Sequence, residues 1–164
     1  MMRRLCVVLG VAGVSVLAAP PIALADQPPA GTLVAVLSAG EEVPSCAPAT
    51  NAARGVAVFH VLDEAAGAVE FKLVADNLPG DVTAAHIHLG PTGVAGAVVQ
   101  PLPPTPGAEN GVVAEGTFAN AGLVAAIRAN PDAYYVNVHT GPPGVGCPSG
   151  VIRGQLGDRG PLNR

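Results

Sequence analysis

The sequence predicts an all-β fold, and three observations indicate this class. The 164 residues include 21 glycines and 17 prolines, which mark frequent turns. Lysine, glutamine and methionine, which favour helices, are scarce, whereas valine is common and favours strands. Short apolar runs alternate with turn signals, and no βαβ rhythm is present. Together these features predict a Greek-key-like antiparallel β-sandwich of about eight strands with one short helix.

Residues 1–25 have the three parts of a secretory signal peptide. Arg3 and Arg4 form a basic start, an apolar run covers 5–18, and small residues end the segment at 23–25. The apolar run has about 14 residues, fewer than the roughly 20 that cross a membrane. A membrane anchor is therefore the less favoured interpretation. We predict a secreted, extracytoplasmic protein with no membrane span after cleavage.

The rest of the chain has the length of one domain. We expect a disordered lead-in at 26–31, a single domain at 32–157 and a polar tail at 158–164. Without the leader, six basic residues remain against twelve acidic residues, for a net charge of −6, and the basic residues do not cluster. The composition therefore argues against nucleic acid as a partner.

The clearest elements are the two strands of a hairpin, at 55–63 and 68–75, which flank a turn at 64–67. In the second strand, apolar and charged residues alternate, so one face is predicted to be core and the other mostly solvent-exposed. The apolar positions of that strand are Val69, Phe71, Leu73 and Ala75.

Alternation and flanking turn residues predict six further strands, at 32–38, 82–89, 97–102, 112–118, 134–140 and 151–156. A short helix is predicted after Asn120, whose side chain can cap its first turn. Asn130 and Pro131 end this helix, because the residue before a proline disfavours helical geometry. Its apolar stripe consists of Leu123, Val124 and Ile127.

Two cysteines remain once Cys6 leaves with the leader. Cys46 and Cys147 are an even pair in a compartment that is expected to be oxidising. We predict a disulfide between them, closing a loop of 101 residues. The alternative is that one of the two thiolates is a metal ligand.

Two of the chain's four histidines, His86 and His88, are separated by a single residue on one predicted strand. Because side chains alternate along a strand, both imidazoles lie on one face, opposite to Ile87. His139 lies on a later predicted strand. If the two strands are neighbours, about 5 Å apart, the three imidazoles can bind one ion.

Three neutral imidazoles without a carboxylate suit copper or zinc better than magnesium or calcium, and we expect copper before zinc. A fourth coordination position would be open. His60 is a possible further ligand, but it shares a face with Val58 and Leu62, so a core or edge position is favoured. The alternative for the three histidines is a set of polar side chains on a solvated face.

Three motifs and an opening segment carry a family resemblance. The motifs are His-Ile-His-Leu-Gly at 86–90, Tyr-Val-Asn-Val-His-Thr at 135–140 and Gly-Val-Ile-Arg-Gly-Gln-Leu at 150–156. The opening segment is Gly-Glu-Glu-Val-Pro at 40–44. Over about 33–156 the chain resembles the CHRD domain, which is named after chordin and also occurs singly in secreted bacterial proteins.

The resemblance implies an immunoglobulin-like or Cu,Zn superoxide dismutase-like β-sandwich. By analogy with the dismutase fold, the predicted disulfide would tether the first loop beside His139. The family usually has Glu where this chain has Val151, so a role for that carboxylate is not carried over. The cysteine pair is not a general feature of the family.

Three further residues are candidates to orient the ligands. Asn137 and Thr140 flank His139 and can hold its ring by hydrogen bonds. Arg153 can orient an anion or a carboxylate, and pairing with an acidic residue is the simpler alternative.

Templates for catalysis are absent from the sequence, including the Gly-X-Ser-X-Gly elbow and the His-Glu-X-X-His helix. We therefore expect a non-enzymatic secreted domain that binds copper. Its expected role is metal binding or homeostasis outside the cytoplasm. One alternative is a metal-free module that contacts an extracellular protein partner or forms a homodimer. The other is a dismutase-like oxidoreductase.

Overall fold

The computed structural model describes residues 31–46, 52–141 and 146–157. The predicted signal peptide, the tail at 158–164 and all of the lead-in except Gly31 lie outside the described residues. Among the residues that are described, no helix is long and apolar enough to cross a membrane.

The fold is all-β, as predicted. Each of the eight expected strands is present, with ends within one residue of the prediction. The strands are β1 Thr32–Ser38, β2 Arg54–Asp63, β3 Ala68–Asp76, β4 Val82–Leu89, β5 Ala97–Pro101, β6 Gly111–Ala119, β7 Tyr134–Thr140 and β8 Ile152–Gln155. The predicted helix is α1, Ala121–Ala129, and the Asn120 side chain caps it by accepting a hydrogen bond from the backbone of Leu123 at 3.1 Å.

The strands form one curled antiparallel sheet in the order β5-β4-β7-β8-β1-β2-β3-β6. β8 lies at the centre, where it joins β7 on one side to β1 on the other. The close approach of β8 to β1 requires a glycine at position 154, because a Cβ there would overlap the carbonyl of Val36. This requirement explains the glycine within the last sequence motif.

Both halves of the sheet contribute to one hydrophobic core. Phe59 and Phe71, on β2 and β3, pack with their ring centroids 6.3 Å apart. Ile87 and Val136, on β4 and β7, are nearly inaccessible and belong to the same cluster. Burial of such side chains stabilises a domain by about 1.5–3 kcal/mol each. The curled sheet therefore packs on itself in the manner of a sandwich.

The outer face of the sheet, opposite to the core, is covered over only half of its width. On β7 and β8, residues of both faces are buried. The segment 90–96 and the loop that contains Glu42 lie over this half, where Arg153 and Asn137 bond to them. On β2 and β3, by contrast, outer-face residues such as Val56 and Val74 are exposed. The covered half is where the histidine strands lie.

A disulfide joins Cys46 to Cys147, with Cα atoms 5.7 Å apart. The predicted pairing is thus confirmed, and neither sulfur is a free thiolate ligand. The bond fixes the loop after β1 to the segment that precedes β8, over a sequence separation of 101 residues. It therefore anchors one of the two segments that cover the outer face.

Replacing both cysteines by alanine should lower the free energy of unfolding by about 4 kcal/mol, because the unfolded chain regains the entropy of a long loop. Denaturant titration of the variant and of the oxidised wild type measures the difference. Wild-type protein kept reduced is the control and should lose a similar amount. A loss below about 1 kcal/mol in both would contradict a stabilising role for this bond.

Candidate metal centre

The site is built by the antiparallel pairing of β4 with β7. From the sequence, the meeting of the three imidazoles depended on these two strands being neighbours. In this register His86 lies opposite Asn137, and Ala84 lies opposite His139. His139 is therefore the diagonal neighbour of His86 on the same face, within reach of a long side chain. His88 lies opposite Tyr135. All three imidazoles project from the outer face, away from the core.

The three imidazoles form a compact cluster. One candidate ligand atom from each residue lies within 4.8 Å of the others. Nδ1 of His86 and Nε2 of His139 are 3.1 Å apart. Two nitrogens bound tetrahedrally to one ion, at about 2.0–2.1 Å each, are about 3.3 Å apart. The His86 and His139 nitrogens already have about this spacing, and a pair at the 4.8 Å limit would have to approach by roughly 1.5 Å.

Backbone carbonyls fix the orientation of two of the rings. Nδ1 of His88 bonds the carbonyl oxygen of Gly96 at 2.9 Å, and Nδ1 of His139 bonds that of Pro148 at 3.0 Å. A carbonyl only accepts, so Nδ1 carries the proton in both rings and Nε2 retains its lone pair. Nε2 of His88 is buried without a hydrogen-bond partner among the described residues. An unpartnered buried lone pair is what a metal ligand presents before it binds.

The imidazoles are held neutral. Burial, followed by the neighbouring His139 and His88, lowers the pKa of His86 from 6.5 to about 4. Burial also lowers the pKa of His88 and of His139, although their bonds to backbone carbonyls act in the opposite direction. Metal ions bind the neutral form of imidazole, so little proton competition is expected near neutral pH.

An aromatic ring and a buried cation support His88. The ring of Tyr135 stacks on His88 with centroids 4.7 Å apart and planes at 13°. The guanidinium of Arg153 lies 3.5 Å from the centroid of the same tyrosine ring. The hydroxyl of Tyr135 also accepts a hydrogen bond from the backbone N–H of Gly96 at 3.0 Å. The N–H of Gly96 thus bonds Tyr135, and its carbonyl bonds His88.

A buried acid–amide pair lies next to the site. Oε1 of Glu42 accepts hydrogen bonds from the backbone of Val43 at 3.1 Å and from Nδ2 of Asn137 at 3.2 Å. Oε2 of Glu42 and Oδ1 of Asn137 are buried and unpartnered among the described residues, and a Cβ at Gly150 would lie 2.6 Å from each of them. Burial raises the pKa of Glu42 to about 7, against the opposing effects of its hydrogen bonds and of the Arg153 charge. A proton on Oε2 would supply the donor that these two oxygens lack.

The orienting residues predicted from sequence have other partners. Asn137 shares the face of His139 but bonds Glu42, and Thr140 points to the core side, where it accepts from the backbone N–H of Cys147. The carbonyl of Pro148 holds the His139 ring instead. Arg153 bonds the carbonyls of Pro91 and Val94 and the side chain of Gln155, and it makes no ion pair within the described residues.

His60 is not part of the cluster. It lies on the interior strand β2, exposed on the uncovered half of the outer face, and its Nδ1 is 3.2 Å from Oγ1 of Thr32. The expected core or edge position is therefore wrong. Its apolar neighbours Val58 and Leu62 are themselves partly or largely exposed, which the alternation pattern alone could not reveal.

The fold and the histidine cluster define an all-β domain with a candidate metal centre. The family model of the CHRD domain matches residues 33–156, which is most of the chain. The chain therefore belongs to the CHRD domain family. Comparison with curated proteins and with solved structures gave no match.

The Glu42→Gln variant should change how stability depends on pH. Between pH 4.5 and about 7, unfolded wild-type chain has released the Glu42 proton that the folded chain still holds. Raising the pH therefore favours unfolding, and wild-type stability should fall across this window by at most about 3 kcal/mol. Glutamine remains neutral and can donate to Asn137, so the variant should lack this fall.

Urea titrations of both proteins across the pH window, without added metal, measure the effect. The lowered histidine pKa values make both proteins less stable as the pH falls below 6.5, so the difference between the two curves isolates Glu42. Parallel curves would show that the pKa of Glu42 is the same in the folded and the unfolded chain, which would contradict the raised value.

Proposed function

We propose that this CHRD domain binds a copper ion, with zinc as the second choice, through His86, His88 and His139. The observation that carries the proposal is the cluster of three neutral imidazoles whose ligand atoms lie within 4.8 Å of one another. Backbone carbonyls accept from the protonated Nδ1 atoms of His88 and His139, so each Nε2 keeps a lone pair for an ion. Nε2 of His139 accepts a hydrogen bond from Nδ1 of His86, and a bound ion would replace this contact. Such carbonyl partners are typical of histidines that ligate metals.

The chemistry of the donors supports the choice of metal. Imidazole nitrogens suit copper and zinc, whereas magnesium and calcium prefer oxygen ligands. Among the residues that the structure describes, no carboxylate or thiolate belongs to the cluster. Copper forms the more stable complexes with a given set of nitrogen ligands, which favours it over zinc.

The proposed role is metal binding or homeostasis outside the cytoplasm, with binding rather than catalysis as the activity. The predicted leader supports an extracytoplasmic location, and the disulfide is typical of an oxidising compartment. Three protein ligands leave a coordination position open, which suits an ion that is taken up and passed on.

Replacing His88 by alanine should abolish stoichiometric copper binding, with at least about a 100-fold loss of affinity, because a fixed ligand is removed. Protein without a histidine tag is loaded with copper, desalted and analysed for metal by mass spectrometry. Copper should also raise the melting temperature of the wild type and not that of the variant.

His60→Ala is the matched control, because it removes a histidine that lies outside the cluster and should leave copper binding unchanged. The melting temperature of metal-free His88→Ala shows whether the variant is folded. A wild-type chain that neither retains nor binds copper or zinc would contradict the proposal.

A second candidate function, protein interaction, is favoured by a valine patch on the uncovered half of the outer face. The patch consists of Val34, Val36, Val56, Val58 and Val74, which form cross-strand pairs over β1, β2 and β3. Val56 and Val74 are 41% and 42% exposed. A solvated sheet face usually carries polar residues, so a run of paired valines indicates a surface that is covered in use.

The charges around the valine patch favour a second copy of this chain as the occupant. Lys72 pairs with Glu115 at 3.0 Å, and Arg54 pairs with Asp76 at 3.1 Å. These pairs neutralise four charges at the border of the patch, and Glu70 is the remaining acidic residue beside it. Two copies related by a two-fold axis would bring apolar surface against apolar surface, with one such acidic residue from each copy at the border.

Replacing Val56 and Val74 together by threonine should abolish self-association, because threonine keeps the β-branched shape but places a hydroxyl in the interface. Sedimentation velocity over a range of concentrations measures the monomer–dimer equilibrium. Val98→Thr is the control, since Val98 is 50% exposed on β5 at the far edge of the sheet. A wild-type chain that is monomeric at about 100 µM would contradict this candidate.

A further inference from the structure

Arg153 is a buried cation without an ionic partner. It is 1% exposed, and it makes no salt bridge within the part of the chain that the structure describes. Its guanidinium donates to the carbonyl oxygens of Val94 at 2.9 Å and Pro91 at 2.8 Å, and to Oε1 of Gln155 at 3.1 Å. These neutral acceptors satisfy its N–H groups, and no carboxylate among the described residues makes a direct ion pair with it.

The buried charge of Arg153 lies next to the histidine cluster, with one aromatic ring between them. Tyr135 lies on β7, between His88 on β4 and Arg153 on β8. His88 stacks on this ring at 4.7 Å between centroids, and the guanidinium lies 3.5 Å from the centroid. One ring face has room for one planar group, so the two groups occupy opposite faces. Only the tyrosine ring then separates the cation from a ligand, and little water screens it.

The cluster itself contributes no negative charge. Its ligands are three neutral imidazoles, and no carboxylate belongs to it. A metal ion that binds there meets the repulsion of Arg153, and this repulsion is twice as large for a divalent ion as for a monovalent ion. Copper is the one metal suited to imidazole that also has a stable monovalent state in biology, and Cu(I) binds well to only two or three nitrogen ligands.

We propose that Arg153 makes the three-histidine site selective for the cuprous ion, Cu(I), over divalent copper and zinc. This inference rests on the proposed function and specifies its ligand. Arg153 acts as a positioning residue as well, because it holds the carbonyls of the segment whose Gly96 orients His88. The charge and the position of Arg153 can be separated, since lysine retains the charge but not the planar set of donors.

Glu42 is the acidic group that faces Arg153 and could compensate it. Burial keeps the pKa of Glu42 near 7, so at a pH of about 6 most of the carboxyl groups are neutral. Measurements at this pH therefore report the effect of Arg153 with the least contribution from Glu42.

The test compares the dissociation constants for Cu(I) and Cu(II) at about pH 6 in the wild type, Arg153→Gln and Arg153→Lys. The whole chain is used without a histidine tag, and Cu(I) is measured anaerobically against a competing chelator. Wild type should bind Cu(I) more tightly than Cu(II). Arg153→Gln should reduce this preference at least tenfold, which lowers the midpoint potential of the bound copper by 59 mV for each factor of ten.

Arg153→Lys should keep the preference for Cu(I) over Cu(II), even if its affinity for both ions falls. If the role of Arg153 were purely structural, both variants would lose the same factor of affinity for Cu(I) and for Cu(II). Ag(I) and Zn(II), which do not change oxidation state, provide a second comparison of one charge against two. In the wild type, Ag(I) should bind more tightly than Zn(II), and Arg153→Gln should reduce the ratio of the two dissociation constants.

Two results would overturn the inference while the proposed function stands. One is His88-dependent copper binding in which the wild type prefers Cu(II). This result would exclude selectivity for Cu(I) even if Arg153→Gln does not fold. The other is an unchanged preference in a folded Arg153→Gln. A wild type that binds neither form of copper would overturn the proposed function and this inference together.

Discussion

The antiparallel pairing of β4 with β7 is the constraint on which the rest of the site depends. Its register places Ile87 opposite Val136 on the core side, where both are nearly inaccessible. Because side chains alternate, a slip of β7 by one residue would expose Val136 and turn His139 towards the core. The hydrophobic core therefore determines the register, and the register brings the histidines of two distant segments together. Metal binding is not needed to explain why the three imidazoles meet.

Burial of both faces of β7 and β8 has consequences for charge. A sheet covered by a second hydrophobic layer would need no polar network, but here two loop segments provide the cover. Their backbone carbonyls require donors, and Arg153 and Gln155 supply them. The same burial lowers the pKa of the histidines and raises that of Glu42. Neutral imidazoles beside a guanidinium without a direct ion pair among the described residues follow from this way of covering a sheet.

The two halves of the outer face are suited to different tasks. The covered half is buried and polar, and the disulfide at Cys147 lies next to Pro148, whose carbonyl orients His139. The uncovered half presents paired valines with two ion pairs at its border. A metal site on one half and an apolar contact surface on the other are compatible, because β8 separates the histidine strands β4 and β7 from the valine strands β1, β2 and β3. Metal binding and self-association can therefore be tested independently of each other.

Features that depend on neighbouring residues can be predicted from the amino-acid sequence alone. Alternation and turn residues placed every strand end within one residue, the Asn120 cap located the helix, and the shared face of His86 and His88 follows from their spacing. Only the tertiary structure decided the features that depend on contacts between distant segments. The nearness of His139 required β4 and β7 to be neighbours, and the carbonyl of Pro148, rather than Asn137 or Thr140, orients its ring. Alternation shows which residues share a face but not what covers that face, which is why His60 was misjudged and why the buried charge of Arg153 could not be foreseen.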